Sequence, residues 1–269
     1  MSTIINILKI LVIAYVAILI LMVFFQERLI FFTQPISNPY ANRFAEYEIT
    51  FEHNGVKLHG WFVRKNVTAE APLIVYYGGN AEEVSGNLLD LKSYPDSALL
   101  FMNYRGYGKS KGRPSEKNLV SDALYILDEI VGREGIDLQH VVLLGRSLGS
   151  GVATQVAHQR DVGGVILVTP FDSLANVAKS HYPVFPVKLL IRHPFKSVNF
   201  AETITIPALN MMGTADRIIP NRHSQALVEA WKGEMESVII RQADHNNIQL
   251  FPQYWESINS FLDSLAQQK

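Results

Sequence analysis

Four short stretches hold residue types that acyl chemistry needs. Gly145-Arg146-Ser147-Leu148-Gly149 follows the apolar run Val141–Leu144. A serine in a Gly-x-Ser-x-Gly turn between a strand and a helix is lifted clear of both, with its hydroxyl at the end of a sheet. Asp216 closes Gly213-Thr214-Ala215-Asp216, just past the apolar run Ala208–Met212. His245 lies in Asp244-His245-Asn246, after Val238–Ile240. Gly78-Gly79-Asn80 follows Leu73–Tyr77.

The chemistry these residues suit is attack on a carbonyl carbon. Ser147 is a weak nucleophile by itself and needs a base within hydrogen-bond reach. His245 is expected to take its proton and pass it to the leaving group. Asp216 is expected to hold the imidazole in the correct tautomer. The tetrahedral oxyanion needs two fixed donors, expected to be the backbone N–H groups of Leu148 and Asn80. Gly79 lets the backbone come close to substrate. Phe171, past the run Val165–Thr169, and Tyr104, in the loop Asn103–Gly112, are the expected substrate-binding neighbours.

Plainer readings exist for each residue. Ser147 is also what a helix cap looks like, and Asp216 what a turn former looks like. Asp172 and Asp244 are rival acids: one follows the wrong strand, and the other is adjacent to His245. His223 falls on a helical pattern and His181 on an irregular stretch, so both are expected to be solvated. The eight histidines include no His-x-Glu or His-Glu-x-x-His spacing. No metal and no cofactor are therefore expected. In Asn103–Gly112 no Gly-Lys-Ser/Thr opens a helix, so phosphate binding is not expected, and structural support is preferred to direct catalysis. Tyr104 and Arg105 are expected to pack beneath the Gly78-Gly79-Asn80 turn.

The elements that must position these residues alternate. Tyr47–Phe51 and Lys57–Val63 flank His53-Asn54-Gly55, and Asn-Gly is a strong hairpin signal. Leu73–Tyr77, Ala98–Asn103, Val141–Leu144, Val165–Thr169, Ala208–Met212 and Val238–Ile240 are apolar runs of strand length. Helices are expected over Glu82–Lys92, Ser115 to about Val131, from Ser147 to about Gln159, Arg222–Trp231 and Phe251–Leu265. This alternation predicts an α/β fold with a mostly parallel eight-stranded sheet, helices on both faces and an antiparallel first edge. A Pro-rich excursion over 171–207 interrupts it and is expected to form a small cap.

Composition narrows the class. The chain has 269 residues, 48% of them hydrophobic, and a formal net charge of −1. No basic stripe points to nucleic acid. There is no Cys, which excludes disulfides and a thiolate nucleophile. Ile4–Phe25 is apolar but for Asn6, Lys9 and Tyr15. As a helix it would be about 33 Å long, enough for a hydrocarbon core of about 30 Å. No small-residue cleavage site follows it, so residues 1–28 are expected to be a retained single-pass anchor and 29–269 the catalytic domain. Lys9 precedes the span, while Glu27 and Arg28 cancel after it. The positive-inside rule then places the domain on the extracytoplasmic side.

Taken together, the residues resemble the α/β-hydrolase superfamily, and within it the membrane-anchored bud-emergence-like group of serine hydrolases, whose animal relatives include protein depalmitoylases. The matching pieces are Tyr77-Gly78-Gly79-Asn80-Ala81, Asn103-Tyr104-Arg105-Gly106-Tyr107-Gly108-Lys109-Ser110, Gly145–Gly149, Gly213–Asp216 and Asp244-His245-Asn246. In that group the first turn begins His-Gly; here Gly78 replaces the His. The resemblance implies hydrolysis of carboxylic esters or acyl thioesters of small or lipid-like substrates. A prolyl-oligopeptidase-like peptidase or acyltransferase on the same residues is the alternative enzyme. A catalytically silent membrane scaffold is the alternative of another class.

Overall fold

The computed structural model describes residues 2–36, 41–65 and 71–267. The first residue of the expected anchor and the last two of the expected catalytic domain lie outside these. The chain opens with helix α1 (Ser2–Ile30). It is long and apolar enough to cross a membrane. The hairpin β1 (Glu48–His53) and β2 (Val56–Lys65) follows. Its turn is Asn54-Gly55, with φ of 53° and 69°, the geometry of a type I′ turn.

Then the alternation begins. Strands β3 (Leu73–Tyr77) and β4 (Ser97–Met102) lead to helix α2 (Glu116–Glu134). Ser115 caps α2 by accepting from the Asn118 N–H at 3.1 Å, and Gly135 ends it at φ 64°. Strand β5 (Val141–Arg146) turns at Ser147 into helix α3 (Leu148–Ala157). Strand β6 (Gly164–Val168) precedes three short helices, α4 (Leu174–His181), α5 (Val187–Leu190) and α6 (Ser197–Ala201). Strand β7 (Ala208–Gly213), helix α7 (Asn221–Ala230), strand β8 (Met235–Ile240) and helix α8 (Pro252–Gln267) close the fold.

The eight strands form one sheet in the order β1-β2-β4-β3-β5-β6-β7-β8. β2 is antiparallel to β1 and to β4; the other pairs are parallel. Alternation of side chains splits the core in two. Leu73, Val75, Leu143 and Leu167 face α2 and α3; Ile74, Leu144, Ile166 and Leu209 face α8. All six residues of β7 are buried, as expected of a strand covered on both faces.

Two expectations change. Glu82–Lys92 is not an α-helix but holds a 3₁₀ segment, Val84–Asp90. Gly86 weakens a helix there, and the Glu83 side chain caps the tighter turn by accepting from the Ser85 N–H at 3.3 Å. The excursion also divides. α4 and α5 stand over the strand ends, whereas Phe195 and Ala201 are fully buried in the main core. Only its first half covers the site.

The turn at Ser147 requires close packing behind it. A Cβ on Gly149 would lie 1.9 Å from the Tyr77 carbonyl oxygen. That neighbour is backbone of β3 and cannot yield without moving the sheet. Gly149→Ala is expected to cost about 3 kcal/mol or more, lowering the thermal midpoint by about 10 °C in a circular dichroism melt.

Candidate active site

Ser147 sits at φ 51°, ψ −116°, a backbone conformation that non-glycine residues rarely adopt. Such strain costs on the order of 1–3 kcal/mol and persists only where surrounding structure imposes it. Here β5 holds one side and the amino end of α3 the other. The Ser147 N–H donates to the Val168 carbonyl at 2.9 Å, and the Ser150 N–H returns to the Ser147 carbonyl at 2.9 Å. The hydroxyl stands free to meet His245. Nε2 of His245 lies 2.9 Å from Ser147 Oγ, and Nδ1 lies 2.8 Å from Asp216 Oδ2. The other oxygen of Asp216 accepts the N–H groups of Ile218 and Ile219, each at 2.8 Å. Asp216 thus shapes its turn and orients the histidine at once.

Neither rival acid reaches His245. The Asp244 carboxylate accepts the N–H groups of Asn246 at 2.7 Å and Asn247 at 3.0 Å, stiffening the loop that bears His245. Asp172 is engaged by His223, whose Nδ1 lies 2.9 Å from Oδ1. His223 is not solvated as expected: it is buried, and its Nε2 lies 2.9 Å from Ser180 Oγ. This bridge ties α7 to α4 and holds the cap above the site. His181 is exposed and lies 2.8 Å from the Ile218 carbonyl.

The Gly78-Gly79-Asn80 turn is braced from several sides. Tyr104 donates its hydroxyl to the Gly78 carbonyl at 3.0 Å, and Tyr107 donates to the Asn80 carbonyl at 2.5 Å. Burial pushes both phenols up in pKa, so both stay protonated donors. The Asn80 side chain donates to the Ile30 carbonyl at the end of α1, 2.9 Å away. The Gly79 N–H donates to Glu82 Oε2 at 2.7 Å. Asn80 and Leu148 both border the cavity above Ser147. Leu148 opens α3, where the first N–H groups of a helix have no partner within it.

That cavity has a volume of about 1000 Å³ and is bordered by Gly79, Phe171, Ser147 and His245. Tyr104 does not border it. Tyr104 lies beneath the turn, so its position suits support of the turn rather than contact with substrate. Arg105 turns the other way, with Nη2 donating to Asp122 at 2.7 Å on α2.

Two supporting residues escape a reading of the motif alone. Arg146 is nominally a free position of the turn. Its Nη2 donates to the His245 carbonyl at 3.1 Å, and its Nη1 lies 3.9 Å from Glu82 Oε2. Burial works against its charge, but Tyr76 and Glu82 more than offset this and raise its pKa. Glu82 also accepts from the Tyr76 hydroxyl at 2.7 Å. Arg146 therefore joins the loop of His245 to the bracing of the Gly79 turn. Its spacing to Glu82 gave no local signal, because the two meet only where the ends of β3 and β5 lie side by side. Arg146→Met is expected to lower kcat about tenfold or more with a smaller change in KM, since displacement of a catalytic group by about 1 Å costs up to a hundredfold.

Comparison with known proteins agrees with this architecture. A family model described as the α/β hydrolase fold matches residues 78–186. Alpha/beta hydrolase domain-containing protein 17B of Xenopus tropicalis is 30% identical over 218 residues, covering 80% of this chain and 74% of that protein. An uncharacterised protein of Mycobacterium tuberculosis is 32% identical over 231 residues, covering 84% and 82%. Among solved structures, the acetyl xylan esterase from Paenibacillus sp. R4 superimposes with a TM-score of 0.66 at 19% identity, covering 81% of this chain and 83% of that one. A soluble variant of monoglyceride lipase from Saccharomyces cerevisiae gives 0.64 at 16% identity, covering 81% and 94%. The chain belongs to the α/β-hydrolase family.

Proposed function

We propose that the protein is a membrane-anchored serine hydrolase that cleaves carboxylic esters or acyl thioesters. The observation that supports this best is the unbroken line from Ser147 Oγ through His245 to Asp216, at the floor of an apolar cavity. Ser147 attacks the substrate carbonyl as His245 takes its proton. The N–H groups of Leu148 and Asn80 receive the oxyanion. The alkoxide or thiolate leaves with the proton from His245, and an acyl-enzyme remains. Water, activated by the same imidazole, releases the acid. Gly79 and Phe171 contact the acyl group, and α4 with α5 limits what reaches it.

α1 supplies the anchor. Its span is free of charge from Ile10 to Phe25, and Lys9 before it supports an extracytoplasmic catalytic domain. The test is turnover of p-nitrophenyl butyrate and a butyryl thioester by the full chain in detergent. Saturable hydrolysis that disappears in His245→Ala is expected. Equal rates in both proteins contradict the reading.

A further inference from the structure

An anchor need only tether, but α1 does more than leave the domain. Gln26 is buried, alone among the described residues of that helix. Its Nε2 donates to the Leu190 carbonyl at 3.2 Å, and its Oε1 accepts the Arg192 N–H at 2.6 Å. Tyr15 donates its hydroxyl to the Val184 carbonyl at 2.9 Å, and its ring stacks on Phe185 with centroids 5.7 Å apart. The helix therefore lies along the cap. Between them runs the cavity that starts at Ser147, bordered by Ile18, Met22 and Leu29 on one side and Val177, Phe185 and Leu190 on the other.

Depth follows from helix geometry. Tyr15 lies ten residues before Phe25, where the charge-free span ends, about 15 Å along the axis. One leaflet of the hydrocarbon core is about 15 Å deep. If α1 spans the bilayer, the cap segment that touches Tyr15 lies within the leaflet. The cap surface has the chemistry for that position. Leu189 and Val184 are 87% and 72% exposed on the cap, and Lys188 beside Leu189 has a stem long enough to carry its charge toward the headgroups. Gln26, at the edge of the span, leaves no polar atom unpaired: it bonds cap backbone at Leu190 and Arg192 and the Val23 carbonyl of its own helix, as a setting beside hydrocarbon demands.

We propose that α1 is the substrate-selecting wall of the site. Together with α4 and α5 it forms an acyl chamber sunk into the leaflet, and the substrate is a long-chain acyl ester or thioester already resident in the bilayer. The chain lies along α1, and the carbonyl meets Ser147 where α1 ends. The bond from Asn80 to the Ile30 carbonyl fixes that end to the oxyanion turn. This proposal rests on the hydrolase reading above and specifies its substrate.

The experiment uses the full chain in phosphatidylcholine vesicles with p-nitrophenyl butyrate, laurate and palmitate. Met22→Trp narrows the chamber about 12 Å along α1 from its end at Ile30. Ile18→Trp narrows it one turn farther, about 6 Å away. Met22→Trp is expected to lower the kcat/KM of both laurate and palmitate relative to butyrate at least tenfold. Ile18→Trp lowers the palmitate ratio alone. Phe24→Trp, at a residue 74% exposed and outside the cavity, leaves the ratios unchanged. Identical chain-length profiles in all three overturn the proposal. Ile18 is itself 44% exposed, so that variant folds and carries the test even if Met22→Trp does not accumulate. A protein that cleaves none of the esters contradicts the hydrolase reading instead. Leu189→Trp fluorescence is expected to be quenched by lipids brominated on their acyl chains; unquenched emission overturns the leaflet position.

Discussion

Ser147→Ala is expected to lower kcat for p-nitrophenyl butyrate by about a millionfold, with KM nearly unchanged. In the proposed mechanism the hydroxyl supplies the bond-forming atom, and no other described hydroxyl lies at His245 Nε2 within hydrogen-bond distance. His245→Ala is expected to cost nearly as much, and the double variant little more, because nucleophile and base act as one unit. What survives is binding plus the two N–H donors, about a thousandfold over water. The fold is expected to persist, since the Ser147 side chain makes no capping bond to α3. Rates for single and double variants, with near-native circular dichroism, check this. Additive losses contradict the coupled mechanism.

Asp216→Asn is expected to lower kcat about ten-thousandfold with the geometry intact. The sign comes from local hydrogen bonding. Oδ1 of Asp216 accepts two backbone N–H groups, from Ile218 and Ile219. In the variant the amide oxygen must stay there, which turns the NH₂ toward His245 Nδ1. Nδ1 then accepts, the proton moves to Nε2, and the imidazole cannot take a proton from Ser147. Asp244→Asn serves as contrast. Among the described residues its carboxylate accepts from the neighbouring N–H groups of Asn246 and Asn247, and the effect is expected to be under tenfold. Comparable losses in the two variants contradict the assignment of the acid.

The sheet and the placement of Ser147, Asp216 and His245 at strand ends were legible in the sequence because both are local. Apolar runs mark the strands, buried ones except at the β8 edge, and each chemical residue stands a few positions past one. The antiparallel edge was legible from Asn54-Gly55 alone. What was not legible depends on distant contacts. His223 reads as a solvated helical histidine until Asp172, 51 positions away, lies against it. Arg146 reads as a free position until Glu82 and the His245 carbonyl meet it. Tyr104 lies in the right loop, but which way it turns is set by the Gly78 carbonyl. The part proposed for α1 was hidden for a different reason. A face that lines an acyl chamber and a face that meets lipid are equally apolar, so hydropathy marks Met22 and Phe24 alike.

The central claim is that Ser147 is a nucleophile activated by His245. Labelling of the full chain with a fluorophosphonate probe, followed by mass-spectrometric mapping of the adduct, tests it most directly. The account predicts one adduct, on Ser147, absent in Ser147→Ala and strongly slowed in His245→Ala. A wild-type protein that remains unlabelled, or that is labelled at another residue, contradicts it.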